Sequence, residues 1–145
     1  MHYWLIKFAP FRTSWAEVVK RGGFMMRGVR SQQARNNLAQ MRVGDPVFFY
    51  HSQQDRAIEG LMAVSREAYP DPTCGDSHWL TCDFAPIRPL SRRITLEEIK
   101  RSPALKELAL IRQPRLAVIP VSVEQFSTIL RLSDELSQAS HSPLG

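Results

Sequence analysis

The sequence predicts an α+β domain built on a mixed, curled sheet. Short apolar, aromatic and β-branched runs recur along the chain. Short helical segments opened by side-chain caps stand between them, without the regular strand-helix-strand rhythm of a parallel α/β fold. Size agrees, since 145 residues, 43% of them hydrophobic, suffice for one domain with a real core.

Tyr3-Trp4-Leu5-Ile6-Lys7-Phe8 reads as a buried first strand, and Pro10 ends it. Ser14 and Glu17 have the spacing of a capping box, so a short helix follows and Gly22-Gly23 stops it. Ala34, Leu38 and Met41 recur at i, i+4 and i+7, which puts an apolar stripe on a helix from Ser31 to Met41. Gly44-Asp45-Pro46 turns the chain into Val47-Phe48-Phe49-Tyr50-His51, apolar on both alternating faces and therefore a strand covered on both sides. A loop through Gln53, Gln54 and Asp55 leads to a partner strand over Ile58 to Val64. The two prolines of Ala68-Tyr69-Pro70-Asp71-Pro72-Thr73 argue against regular structure there. Leu80, Cys82 and Phe84 alternate with Trp79, Thr81 and Asp83 as in a strand.

Thr95 and Glu98 cap another short helix, Pro103 opens a helical piece from Ala104 to Ala109, and Leu116-Ala117-Val118-Ile119 is a last strand. Ser122 and Gln125 open a helix whose Phe126, Ile129 and Leu130 make its apolar face. The domain is expected to span residues 1–132, and the polar, aromatic-free stretch 133–145 to be a disordered tail.

The formal charge is +5, and it is unevenly spread. Residues 1–42 hold eight Lys and Arg (Lys7, Arg12, Lys20, Arg21, Arg27, Arg30, Arg35, Arg42) against Glu17 alone, while the remainder is slightly acidic. Clustered cations of this kind suit an anionic partner, because they gain affinity by releasing phosphate counterions. Two cysteines and no leader-like N-terminal segment point to a reducing, cytoplasmic location rather than to a disulfide scaffold. No apolar run approaches the roughly 20 residues of a membrane-spanning helix.

Four segments occur in a telling order: Tyr3-Trp4-Leu5-Ile6-Lys7, Gly28-Val29-Arg30-Ser31-Gln32-Gln33-Ala34-Arg35-Asn36-Asn37-Leu38, Phe49-Tyr50-His51-Ser52 and Glu67-Ala68-Tyr69-Pro70-Asp71-Pro72-Thr73. Together with Arg115-Leu116, this order resembles the EVE-domain proteins over roughly residues 2–132. The resemblance implies a PUA-like mixed β-barrel with short flanking helices, related to the YTH readers, that binds DNA or RNA and holds a base, modified ones included, in a pocket. It implies no cofactor and no metal. The chain departs from the family pattern twice. Phe8-Ala9 stands where Ser-Glu or Thr-Glu is usual, and Met26-Arg27-Gly28-Val29-Arg30-Ser31-Gln32 stands where Trp-Asp-Gly-Val-Arg-Asn-Tyr is usual.

A base pocket needs flat apolar walls, a few fixed donors and acceptors, and cations for the backbone. Aromatic strand residues belong by default to the core, but the resemblance favours Tyr50 and then Phe8 as walls, with Tyr69 beside them and Met26 as a polarizable wall in place of an aromatic one. Trp4 and Trp79 could supply walls as well, although Trp79 reads as mostly structural. Gly28 suggests a tight turn into a helix start near Ser31, an ordinary anion-binding geometry. Arg30, Arg35, Lys7 and Arg115 are the candidate cations, and Gln33, Asn36, His51 and Ser52 the candidate hydrogen-bonding groups.

Cys74, His78 and Cys82 have a metal-like spacing, but a structural zinc wants four ligands and Cys82 alternates with core residues, so no metal is expected. The competing readings are a small hydrolase of modified nucleosides that would use Lys7, and a protein-interaction module. Neither Ser-His-Asp nor Cys-His spacing appears, so a nonenzymatic binder is preferred.

Overall fold

The computed structural model describes residues 1–8, 13–52 and 56–140, the last six as backbone only. The stop at Pro10, the loop at residues 53–55 and residues 141–145 lie outside these bounds.

Six strands form one mixed sheet: β1 (Tyr3–Phe8), β2 (Phe24–Met25), β3 (Pro46–His51), β4 (Ala57–Pro70), β5 (Leu80–Thr95) and β6 (Val118–Val121), in the order β2-β5-β4-β3-β1-β6. Only β1 and β3 run parallel, with Trp4 opposite Val47 and Phe8 opposite His51; every other pair is antiparallel. Among the described residues β2 and β6 remain edges, so the expected barrel is an open, curled sheet. The curl is concentrated in the long hairpin of β4 and β5, whose register shifts four times. Each bulge adds local twist, and bulges are where a sheet tolerates proline. Pro86 and Pro89 of β5 pair with Met62 and Gly60 beside such shifts.

β3 is buried from Val47 to His51 because its two faces meet different layers. On one side Phe48 stacks on Phe126 of α5 (Val123–Ser140), with 4.8 Å between ring centroids. On the other, Phe49 lies 4.6 Å from Phe8 and 5.5 Å from Trp15 of α1 (Trp15–Arg21). The Trp15 indole rests directly on β4, where a Cβ at Gly60 would stand 2.4 Å from the ring, so only glycine fits there.

The capping signals form as written. Ser14 accepts from the Glu17 amide at the start of α1, and Ser31 from the Ala34 amide at the start of α2 (Gln32–Gln40). Thr95 does the same for α3 (Leu96–Arg101), and Ser122 and Gln125 cap each other reciprocally at α5. Ala34, Leu38 and Met41 are all buried, as their spacing predicts.

Some expectations need correcting. β4 runs on to Pro70, because bulges carry it through and a terminal proline need donate nothing to the ladder. The helical piece expected at Ala104–Ala109 divides into a 3-10 turn at Pro103–Leu105 and α4 at Ala109–Arg112. The last strand begins at Val118 rather than Leu116. Helix α5 spans Val123–Ser140, across the boundary expected at residue 132. Ser133 explains the continuation at its start: it is buried, its Oγ accepts from the Arg92 amide and donates to the Arg92 carbonyl, and Ser91 bonds Asp134.

Candidate functional site

A cavity of about 1000 Å³ opens at the carboxyl ends of the parallel strands β1 and β3. Five stretches of chain enclose it: Lys7 and Phe8 at the end of β1; Phe24 and Met26 through Ser31, with Ala34 of α2; Ser52 after β3; Thr73 after β4; and Pro114, Arg115 and Ala117 before β6. Thr13 completes the lining.

One wall is apolar. Phe8 stacks on Phe49 at an interplanar angle of 14° and meets Phe24 edge to face, with centroids 4.6 Å apart in both pairs. Met26 is fixed beside them, because its amide donates to Cys82 O at 3.4 Å and its carbonyl accepts from the buried Thr81 hydroxyl. The short strand β2 thus exists to place Phe24 and Met26: Phe24 pairs with Phe84 and Met25 with Asp83.

The lining also carries four cations. Lys7, Arg27, Arg30 and Arg115 all border the cavity, and among the described residues its lining contains no carboxylate. Lys7 Nζ donates to Pro114 O at 2.5 Å, and burial holds its ammonium below the ordinary lysine pKa. The Lys7 amine is thus tied to a backbone carbonyl.

Behind the cationic wall lies Asp71, 1% exposed. One carboxylate oxygen accepts from the Gly28 amide at 3.0 Å and from Arg30 Nη1 at 3.2 Å. The other accepts from the Thr73 amide at 2.8 Å and the Thr73 hydroxyl at 2.6 Å. Burial alone would raise its pKa, but the bonds from Thr73, Gly28 and Arg30 outweigh burial and bring it down to about 2. Asp71 therefore holds the turn at Gly28, where φ is +85°, against the segment that follows β4.

Of the residues the sequence nominates, Lys7, Phe8, Met26, Arg30, Ser52 and Arg115 converge on the cavity. Ser52 is held there by two bonds to Phe8 O, from its amide at 2.8 Å and its hydroxyl at 3.1 Å. The other six do not line it. Tyr50 is 3% exposed within the core, where burial raises its phenol pKa, Arg56 opposes and Glu97 adds. His51 is buried beside Glu59, with Nδ1 3.5 Å from the carboxylate. Tyr69 donates to Asp83 under the stacked guanidinium of Arg66, and burial first, then Asp83, pushes its pKa up to about 12. Arg35 and Asn36 belong to a surface network with Gln32 and His78: Arg35 Nε donates to His78 O at 3.0 Å and Gln32 to Asn36 at 2.8 Å. Gln33 is exposed on the same helix.

Phe24, Thr73, Pro114 and Asp71 escape the sequence reading. A two-residue strand has no periodicity to detect, but Asp71 and Thr73 carry a signal, the spacing at which an Asx side chain accepts from an amide two residues on. The metal-like trio does not assemble: the Cys82 thiol is buried and meets Leu38 O at 3.5 Å, whereas Cys74 is partly exposed. Burial pushes the Cys82 thiol up to about 12, far from a ligating thiolate.

A family model described as the EVE domain matches residues 2–132. Mouse thymocyte nuclear protein 1 is 36% identical, over 74% of this chain and 58% of that protein, so the chain spans a little over half the length of the curated relatives it matches. A crystal structure of an Agrobacterium tumefaciens protein superposes with a TM-score of 0.90 at 34% identity, covering 92% of this chain and 93% of that one. The human THYN1 protein in complex with 5-methylcytosine-containing DNA superposes with a TM-score of 0.85 at 28% identity, covering 92% of this chain and 98% of that one. The architecture is thus the PUA-like one, with its sheet open.

Proposed function

Because the chain belongs to the EVE-domain family, we propose that it is a nucleic-acid-binding module that holds one DNA base in the cavity, with 5-methylcytosine as the leading candidate. The observation that carries this reading is the make-up of the lining: an apolar wall of Phe8, Phe24 and Met26 faces four cations and, among the described residues, no carboxylate. A flat heterocycle gains about 1–3 kcal/mol by stacking on such a wall, enough to offset much of the cost of leaving a helix stack. Cations at the rim then meet the flanking phosphates. The complex of the human relative supplies the choice of DNA and of the methylated base.

Fluorescence anisotropy tests the reading with labelled oligonucleotides, single-stranded and duplex, that differ only in cytosine or 5-methylcytosine at one position, and with an RNA arm. Binding is expected to favour the methylated DNA and to weaken as salt rises, with a log-log slope between about −2 and −4 for the few phosphates within reach. Absence of affinity for every oligonucleotide at low salt would remove the reading. Preference for the RNA would redirect it.

A further inference from the structure

The four cations around the cavity are not equivalent. Arg27 and Arg115 are exposed and, among the described residues, meet no carboxylate. Arg30 is held: Nη1 donates to Val29 O at 2.8 Å and to Asp71 at 3.2 Å, and its guanidinium carbon lies 5.9 Å from the centre of the Trp79 ring. A guanidinium is planar, so fixing one of its nitrogens fixes the directions in which the others donate. The side chain is nevertheless 39% exposed and so stays open to a ligand. Its charge is offset by a carboxylate whose own side chain is 0% exposed. Asp71, for its part, has accepted four hydrogen bonds, about the capacity of a carboxylate, and has nothing left to offer a ligand directly.

These roles call for different things. A phosphate accepts a mobile, unpaired cation from many angles, whereas a base edge is told from another only by donors held at set angles. We propose that Arg30 is the residue that discriminates between bases, that Asp71 is the positioning residue that aims it, and that phosphate contact is left to Arg27 and Arg115. The inference rests on the nucleic-acid reading above and adds a division of labour to it.

The test uses the full chain and oligonucleotides identical but for one position, occupied in turn by the four ordinary bases and 5-methylcytosine. It reads two quantities: the affinity ratio between the best and worst base, and the salt slope for the best. Arg30→Lys keeps the charge and removes the planar fork, so the ratio is expected to fall on the order of tenfold with the slope unchanged. Asp71→Asn should lower the ratio similarly and add nothing further in the Arg30→Lys background, the signature of two residues acting through one contact. Should Asp71→Asn fail to fold, Asp71→Glu keeps the charge, displaces the oxygens and is expected to lower the ratio too. Arg27→Ala and Arg115→Ala should each flatten the slope by about one and leave the ratio within about twofold.

The inference is overturned if Arg30→Lys weakens all bases equally, if Arg27→Ala or Arg115→Ala abolishes the ratio, or if the Asp71 and Arg30 effects simply add. Equal affinity of the wild-type protein for every base overturns it as well. All of these outcomes leave nucleic-acid binding standing, whereas no binding by the wild-type protein removes the reading beneath it.

Discussion

The two ends of the parallel pair β1–β3 invite comparison, because a buried carboxylate serves each and the two do different work. At the amino end Asp45, 4% exposed, accepts from the Trp4 indole at 3.1 Å, the Arg42 amide at 3.0 Å and the His2 amide at 3.4 Å. Its donors are main chain and a core indole, and they close that end. At the carboxyl end Asp71 collects Gly28, Arg30 and Thr73, all of which border the cavity. A buried carboxylate fed by core groups secures the fold. One fed by pocket residues also sets the shape and aim of a binding surface.

The sharpest way to break this comparison is to remove Asp45. Asp45→Ala leaves the buried Trp4 indole and the part-buried Arg42 amide without their partner, and a loss of about 3 kcal/mol in urea unfolding is expected. Affinity for the preferred oligonucleotide should stay unchanged wherever the variant is folded, and a specific loss of affinity would erase the distinction between the ends.

Acid offers a second, smaller probe. The folded pKa of Asp71, about 2, lies below the unassociated value of 3.8, so its stabilising contribution is complete above about pH 4 and disappears as pH falls through 2. Urea midpoints measured from pH 5 to pH 2 should decline, and Asp71→Asn should flatten that decline. An identical decline in the variant assigns it to other carboxylates.

The smallest effect is expected at Arg35, which lies on α2 and donates to the His78 carbonyl between β4 and β5 rather than lining the cavity. Arg35→Ala should change stability by about 0.5 kcal/mol or less and affinity by less than about twofold. A drop comparable to that of Arg30→Lys would bring the outer face of α2 into the interface.

The sequence discloses the fold better than the site, for physical reasons that particular residues illustrate. Caps are local, so Ser14, Ser31, Thr95 and Ser122 can be recognised from neighbours three positions away. Core periodicity is local too, as the stripe of Ala34, Leu38 and Met41 shows. Whether a side chain borders a cavity depends on distant segments. Tyr50 and Phe8 look alike in sequence, but the register between β1 and β3 leaves Phe8 at the opening and Tyr50 inside. Asp71 illustrates the reverse error: two flanking prolines suggest irregular chain, which conceals a carboxylate that organises residues 43 positions away.

The cavity unites residues 7–8 with 114–117, and Lys7 reaches the Pro114 carbonyl and, through its amide, Ala117 O. Its floor and its rim therefore come from opposite ends of the polypeptide, and long-range closures of this kind are among the slower steps of folding. During synthesis β1 can pair with β3 early, but its other edge must wait for β6. A truncated chain ending before Pro114 would carry every arginine of the first third and still lack one side of the cavity.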